Sequence, residues 1–182
     1  KNTLQLDTIW VSDALAAALR KGLFHPCGAT DRVSRGWVPP RGDEQELVLS
    51  VARQQLVALG VEQKLLPGSV VRQYAAAKMD EVEKAQGYKP GRKQAREIRD
   101  QIELELLPRA LVKRGLTYVW VDPAGRWLVV DASNSARADE VIEQLKPCLG
   151  ELPLSLLKTQ VSPGAAMTQW LAGAEAPAGF DI

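Results

Sequence analysis

The sequence predicts an α+β fold of two small modules, β-α-β-β and β-β-α-β, packed together with an antiparallel helical hairpin projecting from them. Three observations predict it. Short segments near both ends of the chain alternate apolar and polar residues. The segment 70–106 instead repeats its apolar residues every three or four positions, the period of a helix. Gly- and Pro-rich punctuation separates these blocks. On this reading residues 1–66 and 115–182 form a central α+β domain and residues 67–114 a helical domain.

Residues 4–10 alternate as a half-buried strand does. Ser12 is placed to cap a helix whose apolar stripe is Leu15, Ala16 and Leu19, with Gly22 as its stop. The stretch 26–42 is so rich in Pro and Gly that it reads as loops, turns or short edge strands. Residues 46–51 and 55–59 then read as two strands, completing the first module.

From Gly68 the pattern turns helical, with Val70, Val71, Tyr74, Ala75, Met79 and Val82 on one face up to about Gln86. Residues 87–91 are a break. A second helix covers 92–107, with Ala95, Ile98, Ile102 and Leu106 inward, and Pro108 kinks it or starts a new turn. Residues 117–121 and 127–130 form a hairpin around the turn Asp122-Pro123-Ala124-Gly125. Ser133 or Ser135 caps a helix through about Leu149, Gly150 ends it, and residues 152–157 supply one more strand. Ser162 caps a last helix over 163–172, before a Gly/Ala/Pro tail.

With 182 residues, 46% hydrophobic and 25% charged, the chain has the composition of an ordinary soluble globular protein. Cys27 and Cys148 are far apart, which excludes a disulfide framework and suits a reducing cytoplasm. One histidine and no paired cysteines disfavour a zinc site. No apolar run approaches the length of a membrane span and no secretory signal is visible. The chain opens at Lys1, which reads as a start that has been trimmed.

The net charge of +1 conceals an uneven distribution. Between Lys84 and Arg114 stand nine basic residues, Lys84, Lys89, Arg92, Lys93, Arg96, Arg99, Arg109, Lys113 and Arg114. Four acids, Glu97, Asp100, Glu103 and Glu105, oppose them, leaving +5. Arg92, Arg96 and Arg99 recur at i, i+4 and i+7 and share a helical face flanked by Lys89 and Lys93. Such a row suits a phosphate backbone, since each contact releases counterions and needs no particular base. A solvated face with i,i+4 ion pairs fits the same pattern.

Trp120 and Trp127 fall in hairpin strands and read as core or cross-strand packing, whereas Trp37 lies in an open loop and plugs the module's end or meets a partner. Asp122, Asp131, Asp139 and Glu140 do not read as a metal-dependent nuclease cluster, because turn, cap and first-turn positions account for them. His25 and Cys27, separated by Pro26, do not aim at each other as a nucleophile pair does. No phosphate-cradling Gly-rich motif is present, which disfavours an ATP-driven enzyme.

A series of short signatures runs through the chain in a fixed order. They are Phe24-His25-Pro26-Cys27-Gly28, Gly36-Trp37-Val38-Pro39-Pro40, Leu65-Leu66-Pro67, Leu106-Leu107-Pro108-Arg109-Ala110 and Trp120-Val121-Asp122. Val130-Asp131-Ala132-Ser133, Leu149-Gly150, Leu152-Pro153, Met167-Thr168-Gln169-Trp170 and Gly179-Phe180 follow. In this order the set resembles the recombination-associated protein RdgC family.

The resemblance implies a protein, not an enzyme and without a cofactor, that binds double-stranded DNA regardless of sequence and restrains the RecA recombinase indirectly through that DNA. It implies a ring-shaped homodimer around a positively lined hole, cytoplasmic, nucleoid-associated and not at a membrane. The helical hairpin, residues 67–114, would be the tip that meets its twin, with Arg92 and Leu111 at that contact. The nine basic residues from Lys84 to Arg114 are the candidate DNA contacts. An exonuclease, or a protein-interaction module acting on the recombination machinery, are the alternatives.

Two departures stand out. Members of that family generally continue past the Gly-Phe motif, whereas this sequence ends at Ile182, so it corresponds to their N-terminal and central part or to a short phage-like variant. The position after Leu-Leu-Pro-Arg-Ala is often aromatic in the family and is Leu111 here, which implies a weaker or differently packed tip contact.

Overall fold

The computed structural model describes residues 12–42, 45–150 and 152–173, and in these the chain combines five α-helices with one antiparallel sheet. The strand expected over 4–10 lies outside the described residues. Two compact units divide the chain, one up to Glu151 and one from Leu152 onward.

In the first unit, helix α1 (Ser12–Leu19) buries Leu15 and Leu19 and runs into a 3₁₀ turn, Arg20–Gly22. The sheet comprises β1 (Val33–Val38), β2 (Leu49–Val51), β3 (Gln54–Leu65), β4 (Leu111–Asp122) and β5 (Trp127–Val130). Its order is β1-β3-β4-β5, with β2 pairing β3 beside β1. Helix α2 (Gly68–Gln86) and helix α3 (Arg92–Leu106) interrupt the sheet between β3 and β4. A 3₁₀ turn, Leu107–Arg109, leads from α3 back into β4. Helix α4 (Ser135–Leu149) follows β5.

The long β3–β4 ladder, paired from Gln55↔Val121 to Leu65↔Leu111, is the spine. Side chains alternate across it, so Val57, Leu59, Val119 and Val121 line one face together with Trp37 of β1. All five are buried, as are Val141, Leu145 and Cys148 of α4 and Leu15 and Leu19 of α1. Trp37 and Cys148 meet beside Gly22, where an added Cβ would come within 3.1 Å of the Cys148 sulfur and 3.3 Å of the indole. Residue 37 is thus a plug in the core rather than an open loop residue. Opposite it, Gly36 lies so close to the Phe24 backbone that a Cβ there would stand 2.3 Å from its Cα. The segment after α1 can cross β1 only because that position lacks a side chain.

The helical pair has its own small core. Val71 and Ala75 of α2 and Ile98 and Ile102 of α3 are buried together, with Leu66, Met79, Val82 and Leu106 packed around them. Gly87, with φ of 83°, ends α2 in the left-handed conformation and returns its N–H to the Glu83 carbonyl. The periodicity and the break at 87–91 therefore translate into structure, except that Tyr74, expected on the packed face, is 53% exposed.

Three expectations need correction. Asn134, not Ser133 or Ser135, caps α4, its side-chain oxygen accepting from the Arg137 N–H at 2.9 Å. Residues 152–157 form no strand in the second unit, although Leu152, Leu154 and Leu156 alternate as a strand would. The segment has no ladder partner among the described residues, and alternation without a partner does not make a strand; its Leu154 N–H donates locally to the Leu152 carbonyl at 2.8 Å. Trp127 is 48% exposed on β5 and Trp120 is half-buried, its indole N–H donating to the Gln54 side chain at 3.2 Å. The core reading therefore fails for Trp127. Strands β3 and β4 also extend well beyond 55–59 and 117–121. In the second unit, helix α5 (Pro163–Leu171) is capped by Ser162, as its sequence predicts.

Candidate functional site

The basic residues of the helical pair stand in water. On α3, Lys93 is 93% and Arg96 85% exposed, and Arg92 and Arg99 are exposed beside them. Lys93 faces Glu97 and Arg96 faces Asp100, each at 4.0 Å, the outer limit of an ion pair. Such pairs hold their partners loosely and cost little to break. Glu103 turns away toward Arg32, and Glu105 accepts from the Gln101 side chain, so neither is paired with the basic row of α3. Lys84 sits in the last turn of α2, where a cation suits the helix dipole, and Lys89 is exposed in the link.

The remaining predicted residues belong to the sheet end of the hairpin. Arg109 closes the 3₁₀ turn and is exposed. Lys113 and Arg114 are successive residues of β4, so they project from opposite faces and do not share a row. Arg92 opens α3 whereas Leu111 follows its far end, roughly 20 Å along the helix axis. Leu111 is 77% exposed.

Arg114 lies over a carboxylate that the sequence does not mark. Glu62 of β3 is buried, 3% exposed, and takes the Arg114 guanidinium on one oxygen at 2.7 Å and the Cys27 backbone N–H on the other at 2.8 Å. Those two hydrogen bonds, the Cys27 one foremost, hold its carboxyl below the usual range despite burial. Two places along, Lys64 donates to the carbonyls of Gly28 and Ala29. Together they fasten the Phe-His-Pro-Cys-Gly segment to the sheet. Burial, with the Glu62 carboxylate next, pushes the Cys27 thiol up, which lowers its thiolate fraction. Both cysteines are free.

On the other face of the same strands a cleft of about 350 Å³ opens between the sheet and the start of α4. Arg35 of β1, Lys113 of β4 and Arg137 of α4 line it, with Glu140 as its carboxylate. Arg35 pairs with Glu140 at 2.8 Å, and the Arg137 Nε donates to the Thr117 hydroxyl at 2.9 Å. Only Lys113 of these was expected. The missing signal is long-range: Arg35 reaches Lys113 through the pairings Arg35↔Val61 and Gln63↔Lys113, which no local pattern reveals. Of the acid positions considered for a metal, Asp122 is engaged in its own turn through the Ala124 and Gly125 N–H groups and Glu140 with Arg35. Among the described residues no three His, Cys, Asp or Glu side chains group to hold a metal ion, and no helix is long and apolar enough to cross a membrane.

Comparison with known proteins bears on this arrangement. The family model described as "Putative exonuclease, RdgC" matches residues 3–182. Among curated relatives, the Recombination-associated protein RdgC of Dechloromonas aromatica strain RCB is 51% identical over 164 residues, 90% of this chain and 54% of that protein. Its namesake in Cupriavidus pinatubonensis is 48% identical over 171 residues, and that in Janthinobacterium sp. strain Marseille 46%. Each alignment with these two covers 94% of this chain and 57% of the relative. The chain spans about half the length of the curated relatives it matches.

Proposed function

The chain belongs to the RdgC family, and on that premise we propose that it binds double-stranded DNA without sequence preference and acts in recombination by occupying duplex. The observation that carries the reading is the solvent-facing row of Arg92, Lys93, Arg96 and Arg99 on α3, whose nearest acids are held only loosely. Cations in that state exchange a weak intramolecular partner for a phosphate at little cost, and each exchange releases counterions from the DNA. None of them has a fixed geometry with which to read a base edge, so the binding is indifferent to sequence.

In this reading duplex coated by the protein is withheld from RecA, a restraint exerted through the DNA, in the cytoplasm at the nucleoid. The helical pair serves as a tip through which two copies meet, Arg92 and Leu111 contributing, and closes a homodimeric ring. The action is not enzymatic; what supports this is that Asp122 and Glu140 are committed to a turn and an ion pair. Loss of labelled DNA with Mg²⁺ added would overturn that part.

The test is fluorescence anisotropy of an end-labelled duplex of arbitrary sequence, titrated at several salt concentrations. Affinity is expected to fall steeply with salt and to be matched by an unrelated duplex. Reversing Arg92, Lys93 and Arg96 to Glu weakens all duplexes alike and lowers the salt slope by about 0.9 for each phosphate no longer neutralised. Unchanged affinity in that triple variant moves the binding surface off α3.

A further inference from the structure

We propose that the cleft between the sheet and the start of α4 is a seat for a phosphate group, built by Arg35, Lys113 and Arg137, and that a phosphate of the DNA backbone is its occupant. The source of the ligand rests on the DNA-binding reading; the chemistry of the seat does not.

Charge comes first. Three cations line the cleft against one carboxylate, Glu140, so two positive charges have no acidic counterpart in it. The three arrive from β1, β4 and α4, elements distant in sequence, and converge only because the register sets Arg35 and Lys113 on one face of the sheet beneath α4. Side chains gathered by the fold this way repel one another, and an anion between them relieves the repulsion.

Preorganisation comes next. The Arg35 guanidinium is anchored at one end by Glu140, 2.8 Å away, while its Nε is buried and has no hydrogen-bond partner among the described residues. That Nε is shut off from solvent, so the charge of the guanidinium, rather than a hydrogen bond from Nε, is what Arg35 offers a ligand in the cleft. Arg137 is anchored through Nε by the Thr117 hydroxyl at 2.9 Å, which aims its outer nitrogens. A fixed planar fork of donors is what binds phosphate in two-point fashion, and Lys113, exposed and flexible, supplies a point charge.

Space agrees with charge. Gly115 gives the cleft its floor, and a Cβ there would stand 3.0 Å from an outer nitrogen of Arg137. The absence of a side chain lets the guanidinium lie against the strand. About 350 Å³ is ample for a phosphate with its neighbouring sugar. The first turn of α4, where Asn134 and Ala136 also line the cleft, adds a favourable dipole to a site the side chains already define.

The experiment observes the arginine Nε–H resonances of the ¹⁵N-labelled protein during titration with inorganic phosphate, and measures duplex affinity in parallel. Wild type, Lys113→Gln and Arg137→Gln are compared, the first variant altering only an exposed side chain. Phosphate is expected to shift the Arg35 and Arg137 signals, and less so in Lys113→Gln. Each variant is expected to lose several-fold in duplex affinity and about 0.9 in salt slope. If wild type binds neither DNA nor phosphate, or if both variants bind both ligands as wild type does, the seat is overturned; in the latter case the general DNA-binding reading survives. If phosphate shifts the arginines but the protein binds no duplex, the seat stands, the occupant is free phosphate, and the DNA-binding reading is what fails.

Discussion

The helical pair and the sheet cleft are both basic, yet they hold their cations in opposite ways. Lys93 and Arg96 stand 93% and 85% exposed, with acid partners at 4.0 Å. Arg35 is 33% exposed and bonded at 2.8 Å, and Arg137 is fixed by Thr117. The first arrangement supplies charge without geometry, and each side chain that grips a ligand loses about 0.5–1.5 kcal/mol of rotamer freedom in doing so. The second has met that cost during folding. A dispersed row therefore suits long-range capture of a polyanion, and a fixed fork suits one phosphate in one place. The same division runs through the supporting cores, the sheet resting on Trp37, Leu59, Val119 and Val141 and the helical pair on four buried residues.

The largest expected effect separates those two cores. Trp37→Ala is expected to cost on the order of 3–5 kcal/mol, read as a lower urea midpoint of the whole first unit. Ile102→Ala empties part of the small helical core and costs about 2–4 kcal/mol. Its signature differs: amide hydrogen exchange should accelerate through α2 and α3 while β3 and β4 stay protected. Equal acceleration in the sheet would show that the two regions unfold as one body and would break the comparison at its base.

The next effect tests the fixed charges by pH. Glu62 is a carboxyl whose folded value is depressed, so it stabilises the fold fully above the ordinary glutamate value near 4.5. That contribution is lost as pH falls through the lower folded value. Between pH 5 and pH 3 the wild type should therefore lose more stability than Glu62→Gln, measured by urea denaturation at each pH. At pH 7 the variant should be the weaker protein, because Arg114 then lacks its charge and the Cys27 N–H a full acceptor. Parallel pH curves for the two proteins would mean the carboxylate is not specially held.

Why the helical pair is legible in the sequence and the cleft is not follows from the same contrast. Val71, Ala75, Ile98 and Ile102 are spaced within single helices, and Gly87 marks a stop by its own backbone need, so neighbours in sequence carry the information. The turn at Asp122 is equally local, its carboxylate accepting from the N–H groups two and three residues on. The far halves of β3 and β4 are hidden because Glu62, Lys64, Lys113 and Arg114 break the expected alternation. Glu62 and Lys64 are buried with partners from a loop about 35 residues earlier, and nothing nearby announces those partners. Asn134 is masked as a cap, although its type suits the role, because serines flank it on both sides. Arg35 and Arg137 are unremarkable in sequence; only register and helix placement make them neighbours of Lys113.

The smallest effect is the sharpest test of the word loose. Glu97→Gln with Asp100→Asn removes both acids that face Lys93 and Arg96. If those pairs are as slack as 4.0 Å contacts between exposed side chains should be, stability changes by no more than about 0.5 kcal/mol for each. On the proposed DNA-binding function duplex affinity should meanwhile rise, since two negative charges have left the face assigned to phosphates. The opposite pattern, a loss above about 1 kcal/mol in urea with no gain in affinity, would mean that α3 depends on these pairs as the sheet depends on Glu62. The row on α3 would then be a structural ion-pair network, and the proposed capture of DNA would rest on the cleft alone.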